Sequence, residues 1–249
     1  MSKMEKLTPP IPKKIHYVWL GRKELTPLGK KCLASWQRFL PGWEIHKWTE
    51  DNSPSEHPFV ARMLQDRKYA FASDYIRLDA LAKHGGLYLD TDMELVGDVE
   101  PLLNHSCVLA FLSAQNRPSK NSAALGFLAS VPAHSWIEEL KSLYQGKQKA
   151  VMNTTLATAN LQHRGLRGLK NESPDCAFWD LGDIRIYHSD FFYPSAERAP
   201  VHQILGVHHA EGSWSGQATP LPWWRRLIDL RIDRKILRPL EKVLKKLRS

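Results

Sequence analysis

Asp90 and Asp92, two aspartates separated by one threonine, have the spacing in this chain that most directly suggests chemistry. Alternate side chains of an extended segment project to the same side, so both carboxylates can reach one cation. Without a cation or a basic side chain between them, the two negative charges repel. Oxygen ligands favour Mg²⁺ or Mn²⁺, which keep some water and accept phosphate oxygens. The pair therefore predicts a divalent-cation site that receives a phosphorylated substrate.

The residues before this acid pair are typical of a helix, a tight turn and a buried strand. Residues 70–83 contain the apolar members of a helix, which Gly85 and Gly86 end because glycine adopts the left-handed conformation without a Cβ penalty. Residues 87–89 form a short apolar run that indicates a buried strand. Within the helix, Asp74 and Arg77 lie three positions apart and therefore share one face. They could present an acid and a base toward the same site.

Other interpretations of these residues stay open. Acid–Thr–acid sequences also occur in turns and at solvated strand ends, and Asp74 with Arg77 could form an ordinary surface pair. A calcium loop fits less well, because Gly97 is the eighth residue counted from Asp90 and not the sixth. Asp90 as the aspartyl nucleophile of a phosphotransferase is a further alternative.

Three blocks together resemble the signature of glycosyltransferase family 32: IPKKIHYVWLG, ASDYIRLDALAKHGGLYLDTD and HHAEGSW, in that order. The family contains bacterial capsule and lipopolysaccharide enzymes and fungal mannosyltransferases, and its core is similar to that of the large clostridial glucosylating toxins. The resemblance covers roughly residues 11–214. It implies an α/β fold in which a GT-A-like open sheet, flanked by helices, binds a nucleotide sugar.

The resemblance also implies which residues contact the donor. The indole of Trp19 packs on the nucleobase, Asp74 accepts hydrogen bonds from sugar hydroxyls, and Arg77 faces the sugar and the phosphates. Further donor contacts are implied for Tyr88, Asp90, Ser213 and Trp214. The implied catalytic group consists of Asp74, Arg77, Asp90 and Asp92.

For the metal, the resemblance implies that Asp92 and His209 ligate Mn²⁺ or Mg²⁺. Asp90 would assist through a water or through the ribose. Two adjacent histidines could each offer one imidazole, so His208 is the alternative to His209. The residue pattern alone does not place either histidine near the acid pair.

The activity implied is a metal-dependent hexosyltransferase in surface polysaccharide synthesis, which retains the anomeric configuration. A UDP-sugar is favoured over a GDP-sugar as donor, and the acceptor is a saccharide or a lipid-linked sugar. Alternatives are a toxin-like effector that glycosylates a protein and a non-enzymatic basic protein that binds nucleic acid or membrane. A nucleic-acid partner is not expected, because the body of the chain is almost neutral.

Composition predicts one cytosolic globular domain with a short appendage. The 249 residues contain 43% hydrophobic and 24% charged residues, which is ordinary for a globular protein. The polar, proline-rich start does not resemble a signal peptide, and no run of 18 apolar residues suggests a membrane span. Three widely spaced cysteines, Cys32, Cys107 and Cys176, indicate reduced thiols.

Most of the net charge of +9 lies in the last 29 residues. Residues 221–249 contain ten Lys or Arg and three Asp or Glu, and Trp223 and Trp224 precede the charged part. Leu and Ile fall on one helical face opposite the basic residues, as in a helix that lies on an anionic membrane. We therefore divide the chain into a transferase domain, 11–219, and a basic amphipathic tail, 220–249, which would hold the enzyme on the inner face of the membrane. Packing of the tail on the core or on a second subunit is the alternative.

The rest of the sequence predicts further helices and strands, with one segment that shows no clear pattern. Helices are expected at residues 28–40 and from an N-cap at Ser135 to about residue 144, and a helix or loop at 153–163. Residues 113–133 show no clear period. Strands are expected at 15–19, 44–48, 93–96, 107–112, 184–187 and 191–193.

Overall fold

A central mixed sheet of seven strands organises the fold. The computed structural model describes residues 10–112, 122–166, 176–194, 200 and 202–210. Across the sheet the strand order is β2-β1-β3-β6-β5-β8-β7. The strands are β1 Lys14–Val18, β2 Glu44–Trp48, β3 Gly86–Leu89, β5 Cys107–Leu112, β6 Ser122–Ser130, β7 Phe178–Leu181 and β8 Ile184–Tyr187.

Five helices lie among the described residues: α1 Pro27–Phe39, α2 Pro58–Gln65, α3 Tyr69–His84, α4 Ser135–Ser142 and α5 Asn153–His163. The helix α3 is buried over most of its length. It ends at Gly85, whose φ of +61° lies in the region that glycine adopts at little cost. A side chain at Gly85 would also meet Pro132 and the carbonyl of Ser130 within 3 Å. The tight turn from α3 into β3 therefore requires glycine for two independent reasons.

Two apolar cores cover the two faces of the sheet. Alternate residues of β3 divide between them: Tyr88 joins the core that contains α2, α3, α4 and α5, whereas Leu87 and Leu89 join the core on the side of α1. Because side chains alternate along a strand, Asp90 follows Tyr88 toward the face of α3. The alternation along β3 therefore points Asp90 toward α3, the helix that carries Asp74 and Arg77.

A second, two-stranded sheet pairs β4, Met93–Leu95, with β9, Gly206–His208, in antiparallel register. The helix α1 packs against β4, and the indole Nε1 of Trp36 donates to the carbonyl of Met93 at 2.7 Å. Met93 lies opposite His208 in the register. The small sheet thus brings the chain after residue 200 back to the acid pair.

The structure confirms the predicted α/β class and most of the expected elements. Three strands were missed: β6, β7 and β9. The segment 191–193 was predicted as a strand but lies at the end of a short 3-10 helix, Ser189–Phe191. The helix α2 was not predicted, and the tail 220–249 lies outside the described residues. Within the described part of the chain, no helix is long and apolar enough to cross a membrane.

The N-cap predicted for α4 is one residue away from the observed one. His134, and not Ser135, occupies the cap, and its Nδ1 accepts a hydrogen bond from the backbone N–H of Trp136 at 3.2 Å. An imidazole can cap a helix in place of a hydroxyl when the following residues are helical, since the cap requires only an acceptor. Ser135 is the first residue of the helix instead.

Buried His16 on β1 makes the stability of the fold sensitive to acid. Its Nε2 lies 2.8 Å from the carbonyl of Gly85, and its Nδ1 accepts from the indole of Trp48 at 3.2 Å. Burial lowers the pKa of His16 to about 4, with smaller contributions from His46 and His84. The folded protein therefore resists protonation at a position where an unfolded chain binds a proton below about pH 6.5.

We expect the free energy of unfolding to decrease as the pH falls from 6.5 toward 4, because the unfolded state binds more protons in that window. The contribution of His16 between pH 7.5 and pH 5 should be about 2 kcal/mol. Urea denaturation at both pH values gives the change in the free energy of unfolding for the wild type and for His16→Gln. The difference between these two changes is the contribution of His16. His163→Gln, at the exposed end of α5, is the control. Equal pH dependence in the wild type and His16→Gln would contradict the assignment.

Candidate functional site

The candidate site lies where β1 and β3, parallel neighbours, both end. Ligands of open α/β sheets bind at this carboxyl edge. The chain leaves β3 at Leu89 and continues directly into Asp90 and Asp92, while α3 presents Asp74 and Arg77 from the adjoining layer. The helix, the strand end and the small second sheet therefore converge on one place.

Arg77 joins the helix to the strand end. Its Nη2 donates to Oδ1 of Asp74 at 2.8 Å, and its Nη1 lies 3.2 Å from Oδ1 of Asp90. The guanidinium also lies over the ring of Tyr88, 4.4 Å from the centroid. The hydroxyl of Tyr88 donates to Oδ1 of Asp90 at 3.0 Å. The buried guanidinium of Arg77 is thereby surrounded by acceptors, which a buried positive charge requires.

An irregularity in the sheet supplies a further acceptor for Arg77. The register of β5 with β6 shifts between Leu109 and Ala110, so that residues 125–127 of β6 have no partners in β5. The carbonyl of Leu125 is therefore able to accept from Nη1 of Arg77 at 2.9 Å, and that of Gly126 accepts from the backbone N–H of Asp90 at 2.9 Å. Irregular pairing next to a site redirects backbone groups in this way.

Three side chains form a group that could hold a metal ion: Asp90, Asp92 and His208. One ligand atom from each lies within 4.8 Å of the other two. Nε2 of His208 is 3.2 Å from Oδ1 of Asp92 and 3.6 Å from Oδ2 of Asp90. Two carboxylate oxygens and one imidazole nitrogen suit Mn²⁺ or Mg²⁺, so the donor set fits the predicted cation.

The charged side chains of this group strongly shift the pKa values of one another. Burial would lower the pKa of His208, but the carboxylates of Asp92 and Asp90 outweigh that effect and raise it to about 10. Burial likewise would raise the pKa of Asp90, but Arg77, His208 and Tyr88 hold it well below its usual range. Asp90 is therefore a carboxylate at neutral pH, and His208 must release its ring proton before Nε2 can bind a cation.

Asp74 has a different environment. Burial raises the pKa of its carboxyl to about 7, against the attraction of Arg77 and the hydrogen bond from Asn153. Nδ2 of Asn153, the first residue of α5, donates to Oδ1 of Asp74 at 2.5 Å. Both donors meet the same oxygen, and among the described residues none donates to Oδ2. The second oxygen is thus available to a ligand.

Three contributors to the site were not predicted. Asn153 lies in a segment for which the sequence indicated only a helix or a loop. Gly126 and Tyr193 carried no signal: their roles depend on the approach of β6 and of the turn after β8 to Asp90. A Cβ on Gly126 would lie 2.5 Å from Oδ2 of Asp90 and 2.9 Å from the hydroxyl of Tyr193.

The structure places His208, and not His209, beside the acid pair. Successive side chains of a strand project to opposite faces, so the two rings separate. Nε2 of His209 lies 2.8 Å from Oε2 of Glu94, away from Asp90 and Asp92. The preference for His209 as the ligand therefore gives way to His208, the alternative.

The other predicted donor residues are distributed unevenly. Trp19 follows β1 at the same edge of the sheet, partly buried, and its Nε1 donates to the carbonyl of Lys23 at 2.6 Å. Its role toward a nucleobase stays a prediction. Ser213 and Trp214 lie outside the described residues.

Comparisons with known proteins identify the class of the enzyme. Residues 28–109 match the family described as "Glycosyltransferase sugar-binding region containing DXD motif". The matched range includes α3, β3 and both aspartates, so the resemblance noted in the sequence is confirmed. No curated protein sequence matches this chain.

Solved structures resemble the fold at low sequence identity. The glycosyltransferase GlyE of Streptococcus pneumoniae TIGR4 aligns with a TM-score of 0.51 and 12% identity, over 86% of this chain and 59% of that chain. The PaToxG glycosyltransferase gives a TM-score of 0.48 and 17% identity, over 63% and 70% of the two chains. A galactosyltransferase, LgtC, in complex with donor and acceptor sugar analogs gives 0.46 and 13%, over 86% and 99%. The GlyE alignment identifies the fold as GT-A-like.

Gly126→Ala tests the packing that holds Asp90. Because the added methyl would meet the Asp90 carboxylate and the Tyr193 hydroxyl closer than van der Waals contact, one of them must move. We expect a loss of about 1–3 kcal/mol in the free energy of unfolding and a loss of most sugar-transfer activity. Denaturation and donor turnover measure the two effects. Gly29→Ala in α1, whose nearest contact is the flexible end of Leu25 at 3.2 Å, is the matched control. Full activity of Gly126→Ala would show that Asp90 needs no such space.

Proposed function

We propose that this glycosyltransferase transfers a sugar from a nucleoside-diphosphate sugar and uses Mn²⁺ or Mg²⁺ held by Asp90, Asp92 and His208. The observation that carries the proposal is the meeting of this ligand group with the buried Asp74–Arg77 pair at the carboxyl edge of the sheet. A cation site beside hydrogen-bonding groups for hydroxyls suits a substrate that contains both a diphosphate and a sugar.

When bound, the cation would neutralise charge on the leaving nucleoside diphosphate. The residues of the chain would do the rest of the positioning. Asp74 would accept hydrogen bonds from sugar hydroxyls through Oδ2, since Arg77 and Asn153 donate to Oδ1. Arg77 would hold Asp74 and Asp90 at a fixed separation and add positive potential near the phosphates. Tyr88 would restrict rotation of the Asp90 carboxylate through its hydrogen bond.

The finer features of the reaction rest on the resemblance of the sequence. We infer a UDP-sugar in preference to a GDP-sugar, a saccharide or lipid-linked acceptor, and a role in surface polysaccharide synthesis. Retention of the anomeric configuration follows the family pattern. Asp74 accepts hydrogen bonds from Arg77 and Asn153 at one carboxyl oxygen, which supports a role in binding hydroxyls and not one as a covalent nucleophile.

Asp92→Asn should abolish Mn²⁺-dependent hydrolysis and transfer of the donor while the protein stays folded. Replacement of the carboxylate removes one charged ligand of the cation. In the metal-free protein we expect a small loss of stability, because Asp92 pairs with His208 at 3.2 Å and does not merely repel Asp90. Release of nucleoside diphosphate from UDP- and GDP-sugars, with and without Mn²⁺, measures the activity.

The matched control for Asp92→Asn is Asp98→Asn, an acid in the loop after β4 that takes no part in the ligand group. It should keep Mn²⁺-dependent turnover. Normal turnover by Asp92→Asn would refute the metal assignment. Metal-independent turnover by the wild type would do the same.

The basic tail, which lies outside the described residues, suggests where the enzyme acts. We infer that residues 220–249 dock it on an anionic membrane, at the cytoplasmic face, where a lipid-linked acceptor would be presented. The motivation is the excess of seven positive charges in residues 221–249, opposite an apolar face. Each such Lys or Arg contributes about 1 kcal/mol near an anionic leaflet, within a Debye length.

A chain that ends at Thr219 should lose sedimentation with vesicles that contain phosphatidylserine and should keep donor hydrolysis. Higher salt should weaken binding by the full chain without abolishing it, because apolar burial resists salt. Neutral vesicles are the control. If the full chain ignores anionic vesicles, or if the shortened chain unfolds, the tail packs on protein instead.

A further inference from the structure

A second carboxylate–histidine pair lies directly behind the proposed metal ligands. Oε2 of Glu94 is 2.8 Å from Nε2 of His209, and Nζ of Lys31 approaches the same oxygen at 3.2 Å. The side chains of Glu94 and His209 are 10% and 6% exposed, whereas that of Lys31 is 54% exposed. Glu94 and His209 are thus shielded from solvent, whereas Lys31, which contacts Glu94, reaches the surface.

The contacts of this pair connect β4, the end of β9 and α1. Glu94 lies on β4, His209 directly follows β9, and Lys31 lies on α1. The strands β4 and β9 pair over only three residues each, and an isolated two-stranded sheet of that length has little stability of its own. The backbone N–H of His209 also donates to the carbonyl of Asp92 at 3.0 Å. Contacts from His209 therefore reach both strands near the ligand group.

The proposed ligands are covalent neighbours of this pair. Asp92 is two residues before Glu94, and His208 immediately precedes His209. Because the side chains alternate along β9, fixing the ring of His209 on the face of α1 directs the ring of His208 to the opposite face, toward Asp90 and Asp92. Other contacts of this segment include backbone hydrogen bonds, such as that from the N–H of His208 to the carbonyl of Phe192 at 3.0 Å. Loss of the pair would remove the side-chain contact that fixes the rotation of His209 and, through the strand, that of His208.

We propose that Glu94 and His209 are positioning residues for the cation site: they set the register and rotation of β9 so that His208, and not its neighbour, reaches the metal. This inference rests on the proposed function. Buried groups that orient a ligand commonly change metal affinity by about 10–100-fold when they are removed. Neither residue belongs to the group of side chains that could hold the cation.

The test compares Mn²⁺ binding, by calorimetric titration at a temperature well below the melting temperature, with thermal stability and donor kinetics. Glu94→Ala and His209→Ala should each weaken Mn²⁺ binding by about tenfold or more, and activity should recover at high Mn²⁺ concentration. Glu94→Gln keeps an oxygen that can accept from an imidazole N–H, and it should restore most of the affinity. Glu100→Ala, which removes an exposed carboxylate paired with Lys13, is the control and should bind Mn²⁺ as the wild type does.

The outcomes separate the inference from the proposed function. If Glu94→Ala loses stability but binds Mn²⁺ normally, the pair is structural only and the inference is overturned, with the metal site intact. If His209→Ala abolishes binding that Glu94→Ala and His208→Ala retain, His209 is itself the ligand and the inference is again overturned. Absence of Mn²⁺ binding by the wild type would refute the proposed function, and the inference with it.

Discussion

The burial of the Arg77 guanidinium is the constraint on which the rest of the site depends. An arginine cannot lose its proton in a protein, so a buried one must be surrounded by acceptors. Here they come from three parts of the chain: Asp74 on its own helix, Asp90 at the end of β3, and the Leu125 carbonyl of β6. Removing any of them would leave a charge without its partner. The guanidinium thereby fixes the distance between the helix and the strand end, and with it the distance between Asp74 and Asp90.

The irregular pairing of β6 is the consequence of this constraint in the sheet. A regular ladder would engage the carbonyl of Leu125 in a hydrogen bond to β5 and would take this backbone acceptor from Arg77. The same irregularity brings Gly126 against Asp90. Backbone geometry, and not only side-chain chemistry, therefore determines where the first carboxylate of the pair lies. On the other side of the site, β9 brings His208 to the two acids, so the seven-stranded sheet and the two-stranded sheet both contribute to the site.

Much of this architecture could be predicted from local pattern. Helix α3, its glycine end and β3 have local signals: residues 70–83 without glycine or proline, the glycines at 85 and 86, and a short apolar run. The central strand β6 could not be predicted, because SAALGFLAS is buried on both faces and consists mainly of small and apolar residues, which show neither a period of two nor one of 3.6. The helix α2 was hidden for a simpler reason: its first residue, Pro58, lies at the end of a turn-rich segment that reads as loop.

The sequence by itself determined the ingredients: two carboxylates that alternate at a strand end, an acid and an arginine on one helical face, and a pair of adjacent histidines far along the chain. These follow from residue identity and from the periods of helix and strand. Only the tertiary structure decided which of them meet. The sequence does not distinguish His208 from His209. In the structure Met93 pairs with His208, so that His208 lies beside Asp90 and Asp92 and His209 contacts Glu94. The physical reason is that strand register is set by contacts between segments more than a hundred residues apart, whose energies depend on packing that no local pattern records.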